Sequence, residues 1–320
     1  MDSSAPRNVI LDTDWFTDVD DVMAVRALIR LHQRGIFHLL GACINAVYPQ
    51  SARSLDAFLL AHGVDVPVAI TRDDLGVKTP GPSYQKFLAA LPSKYESNDA
   101  TETPVRLYRR LLASSATPVE VLSIGFANNL AALLESPADD LSPLTGIELV
   151  RQKACHLWMM AGAWPEGREY NLSCGDDVNP YIAKVGSLVL EKWPVPITFL
   201  GFEVGFPLLS GGNLPEDDLL RQAMVAYQQT PGYNLGGAYE NQSWQGKPRA
   251  HFSWDPMLVL LAGGVLSPNN GRFLTVRGHA SSDPITAQNS FVQDPTGPHE
   301  YVVKNHTDQE YGQWIDEWLA

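Results

Sequence analysis

VILDTDWFTDVDDVMA, residues 9–24, opens on an apolar run and passes at once into acid. Val9, Ile10 and Leu11 read as a buried strand. Val22, Met23, Ala24, Val25, Ala27, Leu28 and Ile29 carry the spacing of a helix. Between the two stand Asp12, Asp14, Asp18, Asp20 and Asp21. These acids therefore sit at the carboxyl end of the first strand and the amino end of the first helix, the crevice where open α/β sheets bind ligands. One or two carboxylates there are explained as caps favoured by the helix dipole. Five repel one another unless a cation or a hydrogen-bonding ligand sits among them, and clustered carboxylates suit a hard divalent metal.

The rest of the chain repeats the strand-helix pattern. Gly35 stops the first helix, and residues 37–45 read as a second strand with Asn45 at its carboxyl end, on the same edge as the acids. A helix over 51–62, closed by Gly63, leads to a third strand over 66–70. Residues 71–103 are rich in Pro, Ser and charge, with one short helix near 84–91. Further strands are expected at 119–124, 156–160, 196–200 and 301–304. Further helices are expected at 105–114, 131–134, 214–228, 257–262 and 308–319, the fourth of them following Asp255-Pro256. Residues 215–218, Pro-Glu-Asp-Asp, read as the acidic first turn of the 214–228 helix, and Trp314 and Trp318 as packing residues of the last one. The alternation implies one mainly parallel sheet flanked by helices, an α/β fold in a single domain over 1–320.

Composition narrows the partners. The 320 residues are 45% hydrophobic and 18% charged, as in an ordinary globular protein with a sizeable core. A net charge of -13 argues against nucleic acid or an anionic membrane surface. Cys43, Cys155 and Cys174 lack metal-ligand spacing and read as small buried hydrophobes of a reducing compartment. MDSSAPRN has no apolar signal core and no run approaches a membrane span, so the expected location is cytoplasmic.

Asp12-Thr13-Asp14, a gap, then Asp18-Val19-Asp20-Asp21 and Ala24 resembles the amino-terminal signature of the nucleoside hydrolases, the inosine-uridine-preferring family. The commonest family form is D-x-D-x-x-x-D-D; this chain is similar to a longer-loop variant with two more residues before the final pair. Gly125-Phe126-Ala127-Asn128-Asn129-Leu130-Ala131 resembles the family's G-x-L-T-N-[IL]-A, with Asn128 in place of Thr. Glu169-Tyr170-Asn171 is similar to E-F-N, although an Asn usual a few residues upstream is absent. Gly201-Phe202-Glu203-Val204-Gly205 also looks like the longer-loop branch, and Trp254-Asp255 stands where the family shows H-D.

The resemblance implies a Rossmann-like open sheet and a calcium-dependent N-ribosyl hydrolase of nucleosides or related N-ribosides, in salvage, as a homodimer or homotetramer. Calcium would be held by Asp14, Asp21, Asp255 and the backbone carbonyl of Asn128. Asp14 would be the general base; Asp20, Asn45, Glu169 and Asn171 would bind ribose hydroxyls, with Asp18 in place of Asp20 in the alternative register. Trp254 replaces the His that protonates the leaving base, so leaving-group activation is left to aromatic stacking or to an acid elsewhere, His251 being one candidate. Trp15, Phe16, Trp164 and Trp254 lie beside these residues in sequence and are equally explicable as core.

Plainer readings stand beside these. Asn128-Asn129 and Asp255 each suit a helix cap, as do Asp176 and Asp177. Glu203 is either a ligand contact or a supporting acid. Residues 229–249, polar and holding Gly232, Tyr233, Gly236, Gly237, Tyr239 and Trp244, form either a cover over a base or a surface excursion. Two other functions fit parts of the chain. A haloacid-dehalogenase-type phosphohydrolase shares D-x-D after its first strand, with residues 175–179 as its later acidic loop and magnesium as its metal; Phe16 and Pro180 depart from that pattern. A non-catalytic nucleoside- or ribose-binding protein would account for the missing His.

Overall fold

The computed structural model describes residues 5–16, 18–76, 81–175, 177–230 and 250–320. Asp176 and the glycine- and aromatic-containing part of the 229–249 loop lie outside the described residues. The strands are β1 (Arg7–Thr13), β2 (Phe37–Ile44), β3 (Val68–Ile70), β4 (Val119–Ile124), β5 (Ala154–Met160) and β6 (Glu166–Gly167). They continue with β7 (Ile197–Leu200), β8 (Leu209–Ser210), β9 (His251–Phe252), β10 (Phe273–Ser282), β11 (Asn289–Gln293) and β12 (His299–Lys304). Ten of them form one sheet in the order β3-β2-β1-β4-β5-β7-β12-β10-β11-β6. Pairing is parallel from β3 through to β12 and antiparallel from β12 to β6.

Period-two alternation divides the core. Val9 and Leu11 face one layer of helices, α1 (Asp20–Gln33), α2 (Ser51–Ala61) and α3 (Ser83–Leu88) among them. Ile10 faces the other, built from α4 (Pro104–Ser114), α5 (Asn128–Glu135), α6 (Gly146–Lys153) and, beyond the short α7 (Tyr170–Ser173), α8 (Pro180–Lys192). With both faces covered, β4 is buried along its whole length, as a central parallel strand must be. After the one-turn α9 (Phe202–Gly205), helices α10 (Leu219–Gln228), α11 (Asp255–Ala262) and α12 (Asp308–Leu319) complete the first layer. The chain runs outward from β1 through β2 to β3, then returns to place β4 on the other side of β1. That reversal makes the β1/β4 edge the topological switch point, the place where such sheets open a crevice.

Two local expectations are corrected. Residues 215–218 precede the helix: α10 starts at Leu219, and Asp218 caps it by accepting from the Leu220 and Arg221 N–H groups. The capping oxygen does better outside the turn than within it. Cys155 is exposed and Cys174 half-buried, leaving Cys43 alone as a buried thiol; β5 emerges at its amino end. The β10–β11 hairpin was not anticipated, because apart from Phe273 and Phe291 its buried strand positions are small or polar, Gly278, Ala280, Ser282 and Asn289. Helix α6 was also missed; a Thr145–Glu148 capping box starts it. No helix among the described residues is long and apolar enough to cross a membrane.

Candidate active site

At the carboxyl end of β1 successive side chains part to the two layers. Asp12 points toward α4 and α5, where it accepts from Asn45 Nδ2 (2.7 Å), the Tyr108 hydroxyl (2.9 Å) and Asn129 Nδ2 (3.2 Å). Burial nevertheless pushes its pKa up to about 7, against the pull of those hydrogen bonds. Thr13 points the other way, its hydroxyl donating to Asp21 in the first turn of α1. Beyond Asp14 the chain turns sharply. Trp15 has φ of 49°, a left-handed conformation uncommon for a bulky residue. It is held there by its own N–H on Asp21 Oδ1 (3.2 Å), by its indole N–H on Ser54 Oγ (2.8 Å) and by the ring of Tyr84. The turn lets the Phe16 N–H donate to Asp14 Oδ1 (3.1 Å). Gly125 allows the end of β4 to come close; a Cβ there would lie 2.4 Å from the Asp14 nitrogen.

The crevice holds a cavity of about 240 Å³. Asp14, Asp18, Asp20, Asp21, Glu169 and Asp255 line it, and no basic side chain does among the described residues. Carboxylate oxygens of Asp18, Asp20 and Asp21 all lie within 4.8 Å of one another. Burial, and then the charges of neighbouring aspartates, hold Asp20, Asp21 and Asp255 well above the ordinary carboxyl range. Burial raises Asp18 as well. Among the described residues a basic group stands beside them, and its charge would lower Asp20. His251 Nε2 sits 3.4 Å from Asp18, but burial brings that imidazole down to about 4, so it is neutral near pH 7. Mutually repelling buried carboxyls without a counter-charge fit a hard divalent cation, whose ligands are oxygens. Asn128 Oδ1, buried and without a hydrogen-bond partner, is a further spare oxygen behind the wall.

Beside the acids, Glu169 and Asn171 form a polar corner. Glu169 accepts N–H groups from Gly162 (3.0 Å) and Asn171 (2.8 Å), and burial pushes it up to about 7. Asn171 donates to the Met160 carbonyl at the end of β5 (3.0 Å). Trp254 and Phe202 supply an aromatic wall, ring centroids 5.5 Å apart and 27° from parallel. The indole N–H of Trp254 donates to the Phe202 carbonyl (2.8 Å). Its ring lies so close over Gly205 that a Cβ there would meet it at 2.3 Å, which accounts for the last glycine of G-F-E-x-G.

The structure thus brings together Asp14, Asp18, Asp20, Asp21, Glu169, Asn171, Trp254 and Asp255. Asn45 and Asn128 stand behind the wall: Asn45 is bonded to Asp12 and to the Phe126 N–H, and Asn128 Nδ2 to the Asn45 carbonyl. The capping explanations do not hold. Neither Asp255 nor Asn128 nor Asn129 caps its helix; Asp20 Oδ2 instead accepts the Asp255 N–H (3.1 Å), joining α1 to α11. Trp15, Phe16 and Trp164 are core residues, and His251 is buried outside the cavity lining. Glu203 accepts from the Trp164 N–H (3.1 Å) and does not line the cavity. Asp177 is exposed and Asn179 caps α8, so the described part of 175–179 supplies no acid beside Asp14. Sequence reasoning assigned no role to Asp12, Tyr108 or Phe202. Asp12 carried a signal as the first acid of the cluster, and Phe202 through its place just past Gly201, which follows β7; Tyr108 carried none.

Comparison with solved structures finds the same architecture over nearly the whole chain. The type III effector protein XopQ complexed with adenosine diphosphate ribose matches with a TM-score of 0.65 at 18% identity, over 99% of this chain and 93% of that one. The inosine-uridine preferring nucleoside hydrolase from Bacillus anthracis matches at 0.61 and 16%, over 98% and 99%. An inosine-guanosine nucleoside hydrolase matches at 0.62 and 13%, over 98% of each chain. No family model matches the sequence, and no curated protein is similar to it by sequence. At these identities the likeness is one of fold, and the fold of this chain is that of the nucleoside hydrolases.

Proposed function

We propose that the protein is a calcium-dependent ribohydrolase, splitting the N-glycosidic bond of a ribonucleoside or related N-riboside into free base and ribose. One observation carries the reading: buried, mutually repelling carboxyls at the switch point of a parallel sheet, beside a polar corner and an aromatic wall. Asp14, Asp21 and Asp255, with the Asn128 carbonyl, would hold the ion, and Asp18 and Asp20 lie in the same electrostatic cluster. When bound, calcium supplies a water of lowered pKa and a positive charge for the ribose diol. Asp14 takes the proton of the attacking water. Asp20, Glu169 and Asn171 receive and orient ribose hydroxyls. Asn45, bonded to Asp12, supports this set from behind the wall. The remaining carboxylates stabilise the oxocarbenium-like transition state electrostatically. The same reading carries a cytoplasmic homodimer or homotetramer engaged in purine or pyrimidine salvage.

The test is release of reducing sugar from purine and pyrimidine ribonucleosides, with calcium and after chelation. Release that the chelator abolishes is expected; release unaffected by the chelator overturns the metal role. A binding protein for nucleosides or ADP-ribose-like ligands is the second reading, favoured by Trp254 standing where a leaving-group acid would stand. Calorimetric binding of these ligands with no sugar release would select it.

A further inference from the structure

Resting on the ribohydrolase reading, we infer that Glu203 and Asn289 are positioning residues: from outside the cavity they hold the turn at residues 162–164 that orients the ribose-binding Glu169. The observation is a turn whose backbone groups are taken up by distant side chains. Just after β5, the N–H groups of Gly162, Ala163 and Trp164 donate in succession to Glu169 Oε2 (3.0 Å), Asn289 Oδ1 (3.1 Å) and Glu203 Oε2 (3.1 Å). The carbonyls are engaged as well. Gly162 accepts the Phe202 N–H (2.8 Å), and Ala163 accepts Asn289 Nδ2 (2.6 Å). Asn289, wholly buried, thus grips both backbone groups of one residue. Neither Asn289 nor Glu203 lines the cavity.

Gly162 is the joint between two sides of the cavity. Its N–H holds Glu169 in the polar corner, and its carbonyl holds Phe202 in the aromatic wall. Its φ of 78° is left-handed, and a Cβ there would lie 2.6 Å from the Trp164 ring. With no side chain of its own, Gly162 keeps its place through its neighbours. The Trp164 ring is seated in the core against Phe199 and Phe291, at centroid distances of 4.9 and 5.8 Å. Glu203 folds back over Gly201 to reach the Trp164 N–H. A Cβ on Gly201 would lie 2.4 Å from that carboxylate, which accounts for the first glycine of G-F-E-x-G. Asn289 belongs to β11, which also pairs with β6, Asn289 opposite Gly167, so the hairpin fastens the connection between β5 and α7 at two points. Releasing either side chain lets Gly162 shift away from Glu169, and a misplacement of about 1 Å costs on the order of 10²-fold.

The experiment compares Glu203→Ala, Asn289→Ala and Glu203→Gln with the native full chain, calcium-loaded, on inosine, uridine and p-nitrophenyl riboside. It reads kcat and KM, inhibition by free ribose, and calcium affinity by calorimetry. The two alanine variants are expected to lose about 10–100-fold in kcat/KM, with ribose inhibition weakened in parallel and calcium affinity unchanged. Glu203→Gln keeps an acceptor oxygen for the Trp164 N–H and is expected to stay near the native values. A purely structural role would lower the Tm and leave KM and ribose inhibition of the folded enzyme as they are. That result overturns the inference and leaves the ribohydrolase reading standing. A loss in Glu203→Gln equal to that in Glu203→Ala overturns it too, as does a parallel loss of calcium affinity. If Asn289→Ala fails to fold, Glu203→Ala decides the matter alone, because Glu203 is exposed and its removal leaves the core intact. No cleavage of any of the three ribosides by the native chain overturns both the reading and the inference.

Discussion

Raising the pH in the presence of a chelator is expected to destabilise this protein, and calcium to restore what is lost. The cause lies in carboxyls that folding buries. Glu169 moves from 4.5 up to about 7 and Asp12 from 3.8 up to about 7, both through burial. Each folded value lies above the unfolded one, so between those values the folded chain holds a proton that the unfolded chain has released. The stabilisation is complete below the unfolded pKa, near pH 4, and is lost as the pH rises toward 7. At about 1.4 kcal/mol per unit, Glu169 accounts for about 3 kcal/mol of the loss and Asp12 for about 4 kcal/mol. Asp20, Asp21 and Asp255 shift the same way, through burial and then mutual repulsion. Against a typical domain stability of about 5–15 kcal/mol, the effect is large. Calcium competes with protons for the clustered carboxylates, so its stabilisation grows with pH. Scanning fluorimetry at intervals from about pH 5 to pH 8, in chelator and in calcium, reads both. The chelated Tm should fall steadily to about pH 7 while the gap between the curves widens. A chelated Tm that stays flat or rises over that range refutes the reasoning, as does a calcium shift as large at pH 5 as at pH 8.

Three substitutions test other parts of the argument. Asp14→Ala should lower turnover by at least about 10²–10⁴-fold while leaving the circular dichroism spectrum unchanged; turnover within tenfold of the native rate sinks its role as base. Asp12→Ala leaves the Asn45, Tyr108 and Asn129 donors without their acceptor. At about 1–3 kcal/mol for each orphaned donor, less what is regained from the carboxyl's own burial, urea unfolding should show a loss of at least about 3 kcal/mol. Asp12→Asn, which keeps an acceptor oxygen, should cost less, and equal losses would contradict the network. Gly205→Ala drives a methyl into the Trp254 ring; overpacking of about 1–3 kcal/mol should appear in the Tm, together with a raised KM. Unchanged KM would show that the wall does not touch substrate.

Much of this molecule was legible in its sequence. Parallel strands buried on both faces are near-continuous apolar runs, and helices covering them have a 3.6 period, so β1, β4 and α12 stand within a residue or two of where pattern alone places them. The acid cluster was legible for a related reason. Five aspartates following a buried strand violate the ordinary polarity of a core, and such a violation marks a site. Where local chemistry is weak the sequence was silent. Small, polar alternation hid the β10–β11 hairpin, and turn chemistry moved the start of α10 past Asp218.

Tertiary structure alone decided which acids look inward and what each one touches. Asp12 and Asp14 are two residues apart, yet Asp12 is held by donors 33, 96 and 117 residues away and Asp14 faces the cavity. Asp255, which by sequence reads as a helix cap, meets the first cluster only because α11 packs on α1 with Asp20 accepting its N–H. Periodicity encodes which face of an element is buried. It does not encode which distant donor arrives to satisfy a buried carboxyl, because that depends on strand order and on the reversal at β1 and β4.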